Sequence, residues 1–238
     1  MNINPVLLQD PIVNILHTFN MPRNYVIGID LDGTIVDCYP RQVKVTKYIL
    51  EVLSLEATVD TNTLWHYKRR GYTTADAMLA QGVNPSAVKL FKDMWLEIIE
   101  RDEWLVLDQP FPWAKDALEK LVMLNFTLVL VTARQRESGV YQLLAQNSLV
   151  HFFKEVHIVT AINAIAEKTS ILLRIKPFTY CGDSEVDAIA ADQAQISFVG
   201  VISGQRSKDC LQQYPHKVIL NNISELPEFI VNNLSVGY

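Results

Sequence analysis

Asp30 and Asp32 stand two residues apart at the end of an apolar run, "YVIGID" (25–30), with Gly33 and Thr34 directly after them. Asp183 ends a second such run, "FTYCGD" (178–183), and Asp187 follows four residues later. Thr132 closes a third, "FTLVLVT" (126–132). Charge is costly to desolvate, so carboxylates at the ends of buried strands need a chemical reason. Gathered at about 4 Å in an effective dielectric near 20, each pair of unit charges repels by roughly 4 kcal/mol. Something positive must offset that. Oxygen donors without histidine or cysteine suit a hard divalent ion, Mg²⁺ first among them.

Each of these residues also has a plainer use. Asp32, Gly33 and Thr34 can make a turn, Thr132 can cap the helix that follows, and Ser184 with Asp187 fits the S-x-x-D capping box. Only Asp30, which closes a strand with no basic neighbour in sequence, resists such a reading. Taken jointly, ionisable groups gathered at strand ends mark a functional site.

The elements that must position them follow from periodicity. The three runs above, together with "EVHIVT" (155–160) and "SFVGVIS" (197–203), read as buried strands. Most are separated by amphipathic stretches such as "ESGVYQLLAQ" and "EVDAIAADQA". Strand and helix in alternation predict an α/β fold, Rossmann-like, with a mainly parallel sheet flanked by helices. Ligands of such sheets bind outside the carboxyl ends of the strands, where Asp30, Thr132 and Asp183 fall. "HKVIL" (216–220) can add a final edge strand.

Between Asp37 and about Leu107 the strand signal vanishes. "VKVTKYILEVLSLE" and "PSAVKLFKDMWLEIIE" place apolar residues three and four apart, the helical period. Residues 38–105 therefore read as a small all-helical cap domain inserted into a core of 1–37 and 106–238. Residues 1–22 read as a helical extension of that core, ended by Pro22.

Composition narrows the class. A chain of 238 residues that is 49% hydrophobic can bury a core, and a net charge of −5 gives no basic field for nucleic acid, so none is expected. The three cysteines, Cys38, Cys181 and Cys210, are too few and too scattered for a disulfide framework and suit a reducing compartment. The first residues lack a basic segment and carry Asp10 inside their apolar stretch, and no apolar run has spanning length. A soluble, cytoplasmic protein without membrane contact is expected; its oligomeric state is not legible.

D-L-D-G-T after the first strand, T-A after the second core strand, a lysine, and G-D-S-E-V-D together resemble the four motifs of the haloacid dehalogenase superfamily, over about 25–226. The helical insert resembles the cap that one branch, that of phosphoglycolate phosphatase and β-phosphoglucomutase, places after its first motif. Three lysines compete for the remaining motif. Lys154 and Lys176 precede strands, which puts them at the amino-terminal edge of the sheet, whereas Lys168 follows "EVHIVT" and can reach the carboxyl edge. Lys168 also agrees with the superfamily's order of motifs.

The resemblance implies Mg²⁺ held by the Asp30 side chain, the Asp32 backbone carbonyl and Asp183, with Asp187 acting through water or orienting the others. It implies Asp30 as the nucleophile that forms an aspartyl-phosphate, and Asp32 as the acid that protonates the leaving oxygen and later deprotonates water. Asp32 must then be protonated at the first step, as a neighbouring carboxylate could arrange. Lys168, the Thr132 hydroxyl and the Ala133 N–H would hold the phosphoryl oxygens. Dehalogenating relatives lack the second aspartate, so its presence favours an ester oxygen as leaving group and a small phosphorylated metabolite as substrate.

In the cap, "LWHYKRRGY" (64–72) reads first as a helix end with Gly71 beyond it and basic residues complementing the dipole. The alternative is that Lys68 or Arg69 contacts a second anionic group on the substrate; Arg134, two residues after Thr132, is similarly placed. A phosphomutase on a sugar phosphate uses the same motifs. A phospho-accepting signalling module, or a catalytically silent protein of this fold, also remains open.

Overall fold

The computed structural model describes residues 25–235, so the helical extension expected over 1–22 lies outside the described residues. The sheet is parallel throughout, with strand order β5-β4-β1-β6-β7-β8. β1 (Val26–Ile29) starts it. A two-residue β2 (Val36–Asp37) leads into the helical insert, which runs α1 (Tyr39–Val52), α2 (Thr61–Arg69), α3 (Thr74–Ala80), α4 (Pro85–Ile98) and α5 (Asp102–Leu105). The chain returns through β3 (Gln109–Pro110) and α6 (Ala114–Met123) to β4 (Thr127–Ala133). Then follow α7 (Glu137–Gln146), β5 (Phe153–Val159), α8 (Ala164–Ile175) and β6 (Thr179–Gly182). α9 (Glu185–Gln193), β7 (Phe198–Val201), α10 (Lys208–Leu211), β8 (Val218–Leu220) and α11 (Leu226–Ser235) complete it.

The inner strands β4, β1, β6 and β7 are buried on both faces, as continuous hydrophobic runs require of a parallel sheet, whereas the edge strands β5, expected to be buried, and β8 are only partly covered. β4 shows how: Leu128 and Leu130 point into a cluster with Leu118 and Leu121 of α6 and Val140 and Leu144 of α7. Val129 and Val131 point the other way, against Leu172 of α8 and Ala188 and Ala191 of α9.

The helical insert has an apolar cluster of its own, in which Val45 and Ile49 of α1 meet Leu64, Met78, Phe91 and Ile98. Its helices are locally well specified. Asp60 caps α2 by accepting from Asn62 and Thr63 N–H groups, Thr73 and Asp76 close a capping box on α3, and Asn84 caps α4 with Pro85 at the first position. Gly71 lies just past α2 at φ +96°, the left-handed conformation that ends helices.

One feature of the strand reading differs. β2 and β3 pair antiparallel, Val36 opposite Pro110 and Asp37 opposite Gln109, so the outgoing and returning crossings run side by side. Two-residue strands, one containing a proline, are too short to leave a period in the sequence.

Candidate active site

The chain leaves β1 towards β4 and β5 on one side and later places β6, β7 and β8 on the other, so β1 lies at the point where the strand order reverses. Crevices form there, outside the carboxyl ends. Asp30 is the first residue past β1, its N–H donating to the Cys181 carbonyl at 2.9 Å. Asp183 is the first past β6, and Thr132 is next to last in β4. All three, with Asp32, Ala133, Lys168 and Asp187, line one cavity of about 230 Å³.

Lys168 projects from α8 into this crevice and is buried. Its Nζ donates to Asp30 Oδ1 at 2.7 Å and to Asp187 Oδ1 at 2.6 Å, and lies 3.1 Å from the Tyr180 hydroxyl. Burial alone would discharge the ammonium, but Asp187 and Asp30 outweigh it and hold its pKa well above the ordinary value.

Asp187 serves two ends at once. Its Oδ2 accepts from the N–H and hydroxyl of Ser184, completing the capping box of α9, while its Oδ1 faces Lys168 and Tyr180. One carboxylate therefore closes the helix and faces the Lys168 ammonium together. Tyr180 carried no weight in the sequence reading. A tyrosine in an otherwise apolar buried strand was the signal available, because its hydroxyl needs a partner. Gly28, opposite it in register, leaves room for its ring: a Cβ there would come within 2.8 Å of Tyr180 Cδ2.

The acidic cluster is undercompensated. Asp30, Asp183 and Asp187 offer carboxylate oxygens within 4.8 Å of one another. Burial pushes the Asp30 carboxyl well up, against the pull of Lys168, with Asp187 and Asp183 adding to the rise. Burial and then Asp187 push Asp183 up to about 7, although the Gln205 N–H and Arg206 oppose it. Among the described residues no hydrogen bond reaches Asp30 Oδ2 or Asp183 Oδ1. Hard oxygens short of positive charge fit a small divalent cation, and both Asp187 oxygens already accept hydrogen bonds, from Ser184 and from Lys168 and Tyr180.

Asp32 lies in a different field. Arg134 Nε donates to its Oδ2 at 2.8 Å and Nη2 to its Oδ1 at 2.5 Å, a bidentate fork, and Arg41 Nη2 lies 3.4 Å away. Burial raises its pKa, but Arg134 and Arg41 outweigh burial and leave it below the usual carboxylate value. This corrects the expectation that a neighbouring carboxylate keeps Asp32 protonated: the groups facing it are guanidinium ions. Asp108, enclosed between Arg41 and Arg134, completes a cluster of two arginines and two aspartates. Neither Arg41 nor Asp108 was singled out in the sequence.

Thr132 Oγ1 is buried and has no hydrogen-bond partner among the described residues, an orphan hydroxyl on the cavity wall. The three basic residues expected to reach substrate have partners within the protein. Arg134 holds Asp32 and Asp108 through Nε and Nη2, while its buried Nη1 has no hydrogen-bond partner among the described residues. Arg69 donates to the Gly204 and Ile202 carbonyls, tying α2 to the loop after β7. Arg206 of that loop is paired with Glu185 and reaches the Lys68 carbonyl, while the Gln205 N–H donates to Asp183. Lys68 is buried within the helical insert, its Nζ 2.5 Å from Gln42 Oε1 and over the rings of Trp65 and Trp95.

No curated protein matches the sequence significantly. Among solved structures, a haloacid dehalogenase-like hydrolase family protein from Streptococcus pneumoniae superposes with TM-score 0.71 at 18% identity, covering 87% of this chain and 98% of that one. A predicted phosphoglycolate phosphatase from Haemophilus somnus gives 0.67 at 20%, covering 89% and 100%. A candidate β-phosphoglucomutase from Thermotoga maritima gives 0.58 at 21%, covering 90% and 100%. At such identities the likeness speaks for the fold. The sequence pattern of one family, described as haloacid dehalogenase-like hydrolase, matches residues 27–201. With that match spanning most of its length and its acidic strand tips meeting at the sheet's reversal point, the chain belongs to the haloacid dehalogenase-like hydrolase family.

Proposed function

We propose that this hydrolase is a phosphatase that cleaves a small phosphomonoester through an aspartyl-phosphate on Asp30. The observation that carries the reading is the unpartnered, buried Thr132 hydroxyl beside Asp30 and Lys168 in one cavity. A buried donor without a partner costs about 1–3 kcal/mol, and a phosphoryl oxygen would satisfy it. The cavity's small volume suits a small substrate.

Asp30 attacks phosphorus with the oxygen that Lys168 leaves free, the O–P bond forming as the bond to the leaving oxygen breaks. Lys168, Thr132 and the Ala133 N–H hold the phosphoryl oxygens as charge spreads over them. Asp32, a carboxylate in the field of Arg134 and Arg41, takes up a proton once the anionic phosphate lies beside it, gives that proton to the leaving oxygen and, as carboxylate again, takes one from the water that hydrolyses the intermediate. Asp30, Asp183 and the Asp32 carbonyl would hold Mg²⁺, which when bound would supply the charge that lets an anionic substrate approach these carboxylates. The helical insert acts as the cap that excludes water, with Arg69 and Arg206 fastening it to the core. Lys68 is offered to a second anionic group on the substrate.

A screen of phosphorylated metabolites read by released phosphate tests the proposal. Magnesium-dependent release that falls at least about 1000-fold in Asp30→Asn is expected. Release undiminished in that variant overturns it. A sugar phosphate isomerised in the presence of its bisphosphate, without phosphate release, would make the protein a phosphomutase instead.

A further inference from the structure

We propose that Asp108 is a positioning residue for the proton-transfer carboxylate, holding Arg134 and Arg41 as a two-armed clamp on Asp32. This rests on the reading above, in which Asp32 exchanges a proton with the leaving oxygen.

The Asp108 side chain is completely enclosed. Its Oδ1 accepts from Arg41 Nε at 2.8 Å and its Oδ2 from Arg134 Nη2 at 2.7 Å. The same Arg134 Nη2 donates to Asp32 Oδ1, while Nε takes Oδ2, so the guanidinium plane is fixed on one edge by Asp108 and presented on the other to Asp32. Arg41 is anchored from a third direction, Nη1 donating to the Ile99 carbonyl at 3.2 Å. A planar fork matched to a carboxylate sets its orientation as well as its charge, which a lysine could not do.

Burying three of these four charged groups, with Asp32 partly exposed, is a poor way to gain stability, because well-packed apolar residues usually do as well or better. Their places in the chain suggest what they do instead. Asp32 follows β1, Arg41 opens α1 on the outgoing crossing, Asp108 precedes β3 on the returning one, and Arg134 follows β4. The position of Asp32 is thus set jointly by both crossings into the helical insert. The proton that Asp32 takes up beside the anionic substrate passes to the leaving oxygen as the bond from phosphorus breaks, which restores the carboxylate the fork already holds at rest. Misplacement of a reacting group by about 1 Å can cost 100-fold.

A clamp for proton transfer and a merely structural cluster differ in one readout. p-Nitrophenyl phosphate releases a stable phenolate and needs no proton; glycerol 2-phosphate releases an alkoxide and does. The ratio of kcat/KM for these two esters, measured on one magnesium-loaded preparation, does not depend on how much of the enzyme is folded. Asp32→Asn should raise the aryl-to-alkyl ratio about 100-fold, Asp108→Asn about 10-fold or more, and Arg41→Gln in the same direction by less. If Asp32→Asn raises the ratio while Asp108→Asn and Arg41→Gln leave it within twofold of the parent or lower it, the clamp is overturned and the proton-transfer reading stands. If Asp32→Asn itself leaves the ratio unchanged, that reading falls and the clamp with it. Inactivity of the parent enzyme towards both esters overturns the phosphatase reading. Should Asp108→Asn yield no soluble protein, the ratio in Arg41→Gln decides alone.

Discussion

Lys168 Nζ lies 2.6 Å from Asp187 Oδ1, while the other oxygen of the same carboxylate closes the N-terminus of α9. A helix cap is thereby joined to the cation that faces Asp30. The two duties can be separated. Ser184→Ala removes the cap bond and should cost about 1 kcal/mol of stability with a few-fold loss of kcat at most. Asp187→Asn removes the charge beside Lys168 and should lower kcat about 10–100-fold. Urea melts and steady-state kinetics on the two variants check this; equal losses of activity would contradict it.

Gly33 turns the chain out of β1 at φ +76°, and a Cβ there would collide with the Asp183 carboxylate and lie 2.8 Å from Gly204 Cα. Gly33→Ala therefore combines backbone strain with displacement of an acidic ligand. A loss of about 2 kcal/mol or more and a magnesium affinity weakened about 10-fold are expected, read by thermal melts and by titration calorimetry.

Lys68 has no carboxylate partner among the described residues. Burial and the nearby Arg206 push its ammonium down to about 8. A lysine with a lowered folded-state pKa binds fewer protons folded than unfolded between about 8 and 10.5, so its contribution makes stability rise with pH across that window. Below pH 8 the buried charge is a standing cost. Lys68→Met should stabilise the protein at pH 7 by about 1–3 kcal/mol, net of the Gln42 carbonyl it leaves unpaired, and the gain should shrink towards pH 10. Denaturant melts of parent and variant at the two pH values test it.

In metal-free protein the raised Asp183 carboxyl keeps a proton between its unfolded value near 3.8 and about 7, where the unfolded chain has lost it. Its contribution to stability therefore falls as pH rises through that window. Tm should be lower at pH 7.5 than at pH 5.5 without metal, and added Mg²⁺ should raise it more at pH 7.5. Differential scanning calorimetry with and without chelator reads both; identical magnesium shifts at the two pH values would count against a cation at this cluster.

Much of this molecule was legible in the chain. Apolar runs ending in Asp30, Thr132 and Asp183 carry their own strand signal, and the topological rule for parallel sheets brings strand tips to one edge, so the acidic cluster could be assembled on paper. The choice of Lys168 over Lys154 and Lys176 needed only the direction of each neighbouring strand. These inferences work because they depend on local periodicity, which a few residues express.

The surroundings of Asp32 were decided by the tertiary structure. Arg134 is 102 residues from it in sequence, and Asp108 is 67 residues from Arg41. The first pairing exists because β1 and β4 lie side by side in the sheet, the second because the two crossings into the helical insert do. A pKa depends on every charge within several ångströms, wherever it lies in the chain, and so the same aspartate that spacing placed beside Asp30 is governed by guanidinium groups that spacing could not bring near. Local pattern is enough to say which groups meet; their ionisation and orientation belong to the packed whole.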